Sequence, residues 1–251
     1  MELNLADKKV LVTGASSGIG LAIAKAFIAE GCHVASNARS ESALLDSISG
    51  QANCCGVPGD VTDPKQAKLV VDEAIEKLGG LDIVVCNVGS GASVPPGEES
   101  YEEWQRVFAL NFFSTTNIVE AAKSALLESK GVIVCVSSIC GSEVVPGAPV
   151  TYTAAKTALN AYIKGISRPL GKDGIRIVGV APGNIMFSGS GWERRLSQDP
   201  AATQAMLDRD VSLSKFGTAE EVGSMVVWCS SDRCSFATGS IWVLDGGQVR
   251  S

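Results

Sequence analysis

A tyrosine and a lysine stand four residues apart in VTYTAAKTALNAY, residues 150–162. Side chains at that spacing share one face of a helix, so Tyr152 and Lys156 would lie about one turn from each other. A free phenol titrates at a pH of about 10, and an adjacent ammonium group stabilises the phenolate and lowers its pKa. Such a pair could exchange protons with an alcohol or a carbonyl compound near neutral pH.

A serine stands where it could assist that pair. The preceding apolar run ends in VCVSSICG, so Ser138 would follow a buried strand. Open α/β sheets bind ligands at the carboxyl ends of their strands, where this hydroxyl could hydrogen-bond a carbonyl oxygen beside Tyr152. The Y-x-x-x-K pattern alone is common on helices, and the position of the serine favours the catalytic interpretation.

A glycine-rich turn follows the first apolar run. It reads TGASSGIG, residues 13–20, and leads into a segment with helical spacing. Glycines at 14, 18 and 20 permit a tight turn, close approach of the backbone to a pyrophosphate, and close packing of helix on strand. The N terminus of that helix would offer free N–H groups to anionic oxygens. The pattern predicts a dinucleotide site rather than an ordinary strand-to-helix connection.

The end of the second predicted strand indicates which dinucleotide binds. It reads SNARSES, with Ala38 and Arg39 where an acidic residue would accept a hydrogen bond from the ribose 2′-hydroxyl of NAD. A guanidinium can bind a phosphate through two hydrogen bonds, so Arg39 favours NADP(H). The alternative is that Arg39 is a solvated loop residue.

The elements that must hold these residues alternate along the chain. Short apolar runs rich in β-branched residues predict strands, and helical spacing separates them. We therefore expect an α/β fold over residues 1–251: a single-domain Rossmann-type doubly wound parallel sheet with helices on both faces. The predicted strands are 10–12, 33–36, 81–86, 131–137, 175–180 and 241–244, with a third strand before Asp60, and the predicted helices are 19–30, 64–78, 101–128, 151–170 and 219–230.

One long passage, residues 183–218, shows neither strand nor core-helix character. Loops of that length in a compact domain are usually functional. We expect residues 187–215 to form a mobile lid over the substrate, and the alternative is an ordered contact between subunits.

Charge and composition exclude several classes of partner. The formal net charge is −6, with Lys and Arg scattered, which is unlike a surface for nucleic acid or an anionic membrane. The first residues lack a signal-peptide pattern, and no apolar run is long enough to span a bilayer. The eight cysteines form no C-x-x-C pair, so we expect buried, reduced thiols and a cytoplasmic protein.

These residues, in this order, resemble the short-chain dehydrogenase/reductase family over nearly the whole chain. The resemblance implies NADP(H) as cofactor and a tetramer formed through the helices 101–128 and 151–170. The matching motifs are TGASSGIG, GDVTD at 59–63, CNVG at 86–89, Asn111, SS at 137–138, YTAAK at 152–156, APG at 181–183 and VLDGG at 243–247.

By the same resemblance, Tyr152 is the general acid/base, and Lys156 holds the nicotinamide ribose and lowers the tyrosine pKa. Ser138 orients the substrate oxygen, and Asn111 holds a water in a proton relay through Lys156. Phe187 stands where many relatives have a threonine that anchors the carboxamide. The residues expected to bind the cofactor are Gly14, Ser16, Ser17, Gly18, Ile19, Gly20, Arg39, Asp60, Val61, Asn87, Val88, Gly89, Tyr152, Lys156, Pro182, Gly183 and Ile185.

The leading hypothesis is an NADP(H)-dependent oxidoreductase that moves a hydride between the nicotinamide and a carbonyl or secondary alcohol. A 3-oxoacyl carrier-protein reductase is the alternative, but Ser129 and Asp173 stand where such relatives carry arginines for an acidic carrier. Lys130 and Lys172 are their neighbours. We favour a small free carbonyl compound, and arginines 194 and 195 in the lid would suit a polar one.

Three other classes fit less well. A catalytically idle dinucleotide-binding scaffold would have no need of all four residues of the proposed tetrad. A Ser-His-Asp hydrolase lacks its base, because the single histidine, His33, falls in an early strand. Metal catalysis lacks clustered ligands, and we expect no metal site.

Overall fold

Seven parallel strands form the central sheet of the structure, a computed structural model that describes residues 2–43 and 53–250. Their spatial order is β3-β2-β1-β4-β5-β6-β9. Met1, Ser251 and residues 44–52 lie outside the described part of the chain. The strands are β1 (Lys9–Val12), β2 (His33–Ala38), β3 (Cys54–Pro58), β4 (Ile83–Cys86), β5 (Val132–Val136), β6 (Arg176–Pro182) and β9 (Ile241–Leu244).

Helices cover both faces of this sheet, which confirms the predicted fold class. α1 and α8 pack on one face, while α2, α4 and α5 pack on the other. On the first face the two helices come very close, because a Cβ on Gly223 would lie 3.1 Å from the carbonyl oxygen of Ala22. The helices are α1 (Gly18–Ala29), α2 (Pro64–Leu78), α3 (Tyr101–Phe108), α4 (Ser114–Ser129), α5 (Val150–Lys172), α6 (Gly191–Gln198), α7 (Pro200–Asp210) and α8 (Ala219–Ser230).

The central strands β1, β4 and β5 are buried on both faces, which explains their continuous apolar sequences. Val10 of β1, for example, pairs with Val34 on one side and Ile83 on the other, and all three side chains are buried. The strand order reverses between β1 and β4: β2 and β3 follow on one side of β1, and the later strands follow on the other side. Crevices at such reversal points, outside the carboxyl ends of the strands, are where ligands bind in this architecture.

The passage 183–218 is more regular than its sequence indicates. It contains α6 and α7, and a two-stranded sheet of β7 (Ile185–Met186) and β8 (Gly217–Thr218). Ser190 caps α6 and Asp199 caps α7 by accepting backbone hydrogen bonds. No residue of α6 is buried, so this helix lacks the apolar periodicity by which core helices are recognised.

The predicted helix 101–128 is interrupted. A single turn of π-helix, Ala109–Phe113, separates α3 from α4. Such turns insert one extra residue and are frequent at functional sites. This turn carries the buried Asn111.

Candidate active site

The glycine-rich turn joins β1 to α1 at the carboxyl edge of the sheet. Gly20 must be a glycine, because a Cβ there would lie 2.1 Å from the carbonyl oxygen of Gly14. Ser17, the N-cap residue of α1, makes no side-chain cap hydrogen bond, and the first turn has no acidic residue. The free N–H groups at this helix terminus fit an anionic pyrophosphate. Ser16, half-buried, and Ser17, exposed, lie on the same turn.

Asn87 ties the end of β4 to this turn. Its Nδ2 donates to the carbonyl oxygens of Thr13 at 3.0 Å and Gly14 at 3.1 Å, and its backbone N–H donates to Thr13 Oγ1. Val88 follows, with Cγ2 3.1 Å from the position of a Cβ on Gly14. The side chain of Asn87 therefore holds the shape of the turn.

The end of β2 presents Arg39 to solvent. Asn37, one residue before Ala38, is buried, and its Nδ2 donates to the carbonyl oxygens of Val57 at 2.9 Å and Gly59 at 3.1 Å. These bonds hold the ends of β2 and β3 together. The exposed guanidinium beyond them is placed to meet a ribose phosphate.

Asp60 and Val61 follow β3 but differ in what they offer. Asp60 Oδ1 accepts from the N–H and the hydroxyl of Thr62, at 3.0 and 2.7 Å. The side chain of Val61 is buried in the core beneath the sheet edge. The side chain of Val61 therefore packs in the core, and the backbone carbonyl oxygen of Val61 accepts a hydrogen bond from Asn117 Nδ2.

The π-helical turn aims Asn111 at the loop after β4. Its Oδ1 accepts from the N–H of Ser90 at 2.9 Å, and its Nδ2 donates to the carbonyl oxygen of Ser90 at 3.1 Å. A Cβ on Gly89 would lie 2.8 Å from Asn111 Oδ1 and 3.2 Å from Lys156 Nζ. Gly89 therefore lets these two polar groups approach the same point.

Lys156 is buried on α5, with 3% of its surface exposed. Its Nζ donates to the carbonyl oxygen of Val136 at 2.9 Å and lies 5.9 Å from the centroid of the Tyr152 ring. Burial lowers the pKa of this ammonium to about 8, because desolvation disfavours the charged form.

Tyr152 is partly buried, and its pKa runs against the sequence-based expectation. Burial raises the pKa of its phenol to about 12, against which a hydrogen bond with Ser138 acts in the lowering direction. Lys156 is not among the groups that shift it. The ammonium lies beneath the ring and bonds Val136 instead, so the expected lowering of the phenol pKa by Lys156 is absent from this structure.

The four residues of the proposed tetrad, Asn111, Ser138, Tyr152 and Lys156, lie near one another. Ser138 follows β5, and its Oγ accepts from the N–H of Cys140 at 3.2 Å. Its hydroxyl and that of Tyr152 face each other, with Lys156 and Asn111 behind them. A protonated phenol beside a second hydroxyl can polarise a carbonyl oxygen and then protonate it.

Phe187 has a role that its sequence position does not reveal. Its ring packs against the glycine-rich turn, 2.7 Å from the position of a Cβ on Gly18. The three residues expected to flank the nicotinamide precede it, between the end of β6 and the start of β7. Of these, Pro182 and Ile185 are buried and Gly183 is half-buried.

Two further features near the tetrad escape sequence reasoning. Cys140 is buried beside it, and its thiol is one of the groups that influence the pKa values of Tyr152 and Lys156. The residues after β9 close against the loop that follows Ser138 through a bond from the Arg250 N–H to Glu143 Oε1, at 2.9 Å. Only the glycine pair at 246–247 hinted at a turn there, and its partners are remote in sequence.

Comparison with known proteins shows the family to which the chain belongs. A family model described as Enoyl-(Acyl carrier protein) reductase matches residues 14–248. The chain belongs to the short-chain dehydrogenase/reductase family. As a member of this family it is an oxidoreductase that acts on CH–OH and C=O groups.

Relatives in the short-chain dehydrogenase/reductase family align over almost their whole length. The 3beta-hydroxysteroid dehydrogenase 1 of Eggerthella lenta is 32% identical, over 98% of this chain and 95% of that protein. The 3-oxoacyl-[acyl-carrier-protein] reductase of Thermotoga maritima is also 32% identical, over 98% of this chain and all of that protein. Among solved structures, L-sorbose reductase from Gluconobacter frateurii, complexed with NADPH and L-sorbose, superposes with a TM-score of 0.93 at 27% identity, each chain being fully covered.

Within residues 2–43 and 53–250, no group of three or more His, Cys, Asp or Glu side chains could hold a metal ion. In the same ranges, no helix has both the length and the apolar character that crossing a bilayer requires. The eight cysteines, all within the described ranges, are unpaired, and six of them are buried.

Proposed function

We propose that the chain is an NADP(H)-dependent enzyme that interconverts the carbonyl group and the secondary alcohol of a small free substrate. The observation that supports this most directly is the meeting of the Ser138 and Tyr152 hydroxyls above Lys156 and Asn111. Two hydroxyls facing one point suit an oxygen that gains or loses a proton. The nicotinamide, when bound, supplies or accepts the hydride.

Each residue of the tetrad has a distinct part in this proposal. Ser138 hydrogen-bonds the substrate oxygen and fixes its orientation. Tyr152 donates the proton during reduction, and its raised pKa keeps the phenol protonated at neutral pH, ready to donate. Lys156, with a pKa of about 8, and Asn111 both lie close to Gly89. Together they would return a proton to the phenolate that Tyr152 becomes when it has donated its own.

The cofactor proposal rests on the glycine-rich turn and on Arg39. The turn fits a pyrophosphate by its close backbone approach at Gly20 and by the uncapped N terminus of α1. Arg39, exposed at the end of β2, would bind the 2′-phosphate. The NADPH bound by the similar L-sorbose reductase supports the same cofactor here.

The proposal of a free substrate rests on where the basic residues lie. Lys130 precedes β5, so it lies at the amino edge of the sheet, opposite the edge that carries Ser138. There its Nζ donates to the carbonyl oxygen of Asp173 at 3.1 Å and lines a cavity of about 270 Å³. An acidic carrier docked on this edge would be separated by the sheet from the Tyr152 of the same chain.

The test compares Tyr152→Phe with a matched control. Tyr101→Phe removes the same hydroxyl from an exposed position on α3. With NADPH and a panel of ketones, we expect turnover by Tyr152→Phe to fall by a factor of about 10² to 10⁴ while the Kd for NADPH stays within about twofold of wild type. Tyr101→Phe should keep wild-type turnover. Near-normal rates for Tyr152→Phe would remove this mechanism.

The same assay separates the free substrate from the carrier alternative. kcat/KM is measured on a 3-oxoacyl carrier-protein thioester and on its short free analogue. We expect similar values, because Lys130 lies at the edge of the sheet opposite the one that carries Ser138. A carrier-bound substrate preferred by a factor of about a hundred or more would establish the carrier reductase instead.

We also propose a cytoplasmic location and a homotetramer, by likeness to the family. The unpaired state of all eight cysteines supports a reducing compartment. Exposed apolar side chains along α3 and α4, Tyr101, Phe113 and Leu127, support an interface on the helices expected from the resemblance.

A further inference from the structure

The segment that follows β9, residues 245–250, lies beside the carboxyl end of β6, because a Cβ on Gly183 would lie 2.9 Å from Asp245 Cα. Asp245 fixes its turn by accepting from the N–H groups of Gly247 at 2.8 Å and Val249 at 2.7 Å. Ser212, just after α7, donates its hydroxyl to the carbonyl oxygen of Gly247 at 2.9 Å. The segment is therefore held against the end of the lid.

The other end of the segment is held against the catalytic serine's loop. The N–H of Arg250 donates to Glu143 Oε1 at 2.9 Å, and Glu143 lies five positions after Ser138. The segment thus runs from the lid to the loop that carries Ser138. The middle of the segment lies between these two contacts.

Gln248 stands in that middle. Its Oε1 lies 3.1 Å from the position of a Cβ on Gly183, in the segment that we propose flanks the nicotinamide. This oxygen is buried and has no hydrogen-bond partner among the described residues. A buried carbonyl oxygen without a donor is unfavourable, so its retention points to a donor that arrives with a ligand.

We propose that Gln248 determines substrate specificity by accepting a hydrogen bond from a hydroxyl group next to the reacting carbonyl. The oxygen of a neutral amide suits a neutral donor, and a substrate hydroxyl is such a donor. The substrate class is then a hydroxylated carbonyl compound, such as a hydroxy ketone or a sugar, rather than an unsubstituted chain. This inference rests on the proposed carbonyl–alcohol chemistry of the same site.

The test uses a substrate pair that differs by one hydroxyl. kcat/KM with NADPH is measured on 1-hydroxy-2-butanone and on 2-butanone. The wild type should prefer the hydroxy ketone, and Gln248→Leu should lower that preference about tenfold or more while changing the 2-butanone value less than about twofold. A site that binds a substrate hydroxyl discriminates strongly against the analogue that lacks it.

Control variants separate this effect from general damage. Gln105→Leu makes the same change at an exposed position on α3 and should keep the wild-type preference. Gln248→Glu retains an acceptor oxygen, so it should also show the wild-type preference for the hydroxy ketone. Gln248→Met, of similar length, replaces the leucine variant if thermal unfolding shows that the latter is not folded.

A binding measurement makes the outcome independent of turnover. The Kd of 1-hydroxy-2-butanone for the enzyme loaded with NADP+ is followed by tryptophan fluorescence. Weaker binding to Gln248→Leu supports the inference even when no variant turns over either ketone, a result that would remove only the proposed reaction. Equal Kd values and equal preferences in the wild type and Gln248→Leu overturn it.

Discussion

At the scale of single residues, we propose that Arg39 determines the preference for NADPH. Arg39→Ala removes the only arginine between β2 and β3, so we expect NADPH to bind about ten- to a hundredfold more weakly, because a charge-assisted hydrogen bond to phosphate is lost. NADH has no 2′-phosphate, and its Kd should change less than about threefold. Arg168→Ala, an exposed arginine on α5, serves as the control. Equal or better efficiency of the wild type with NADH would show that Arg39 is a surface residue.

Lys156 gives a pH dependence of stability with a definite sign. Its pKa is about 8 in the folded chain against the usual 10.5. Below pH 8 both folded and unfolded chains hold the proton, and the cost of burying the charge is fully present. Between pH 8 and 10.5 only the unfolded chain holds it, so this group makes the free energy of unfolding rise with pH, by at most about 1.4 kcal/mol per pH unit.

Urea unfolding of the wild type and of Lys156→Met at pH 7.5, 8.5 and 9.5 measures this contribution. The difference in unfolding free energy between the two should move in favour of the wild type as pH rises. Measurements stop below pH 10, because the raised pKa of Tyr152 acts in the opposite direction above that value. Parallel curves for the two proteins would contradict the buried, destabilised ammonium.

At the scale of elements, the two lid helices should open and close. α6 has no buried residue, and α7 buries Thr203 and Leu207 alone, so their free energy of local opening should be low. We expect fast amide hydrogen exchange in 191–210 of the free protein, slowed when NADP+ and a substrate analogue are both present. α2, which buries four residues, provides the internal reference. Strong protection of the lid helices in the free protein would indicate a subunit contact instead.

The elements also show what the sequence could and could not predict. The strands and core helices can be predicted because burial imposes apolar periodicity on their sequences. α2 and α8, for example, begin and end where predicted. α6 could not be predicted, because its residues face solvent and lack that periodicity. The π-helical turn at Asn111 could not be predicted either, because one extra residue in a helix does not change the composition.

The site divides in the same way. The glycine-rich turn and the pair Tyr152–Lys156 follow from local motifs, because each lies within one short stretch of sequence. The raised pKa of Tyr152 and the placement of Gln248 depend on packing between distant segments, which spacing alone cannot give. The sequence therefore predicts the reaction class better than the environment in which it occurs.

At the scale of the whole molecule, the exposed apolar residues predict assembly. Leu127 on α4 is 44% exposed and lines a cavity of about 220 Å³ with Ile166 and Pro169 of α5. Leu127→Glu should reduce the mass of the oligomer in light scattering, since it places a charge in the interface. Leu69→Glu, on α2 at 66% exposure, should leave it unchanged. A monomeric wild type, or an intact Leu127→Glu oligomer, would contradict the tetramer.

The close approach of α8 to α1 bears on how the chain acquires its activity in time. α1 begins at the glycine-rich turn that we propose binds the phosphates. The residues that pack on α1, such as Gly223 against Ala22, come from the opposite end of the chain. Contacts between such distant segments form slowly, because a long loop must close before any of them stabilises it. Dinucleotide affinity should therefore appear late in refolding, with the first half of the sheet formed before it can hold its cofactor.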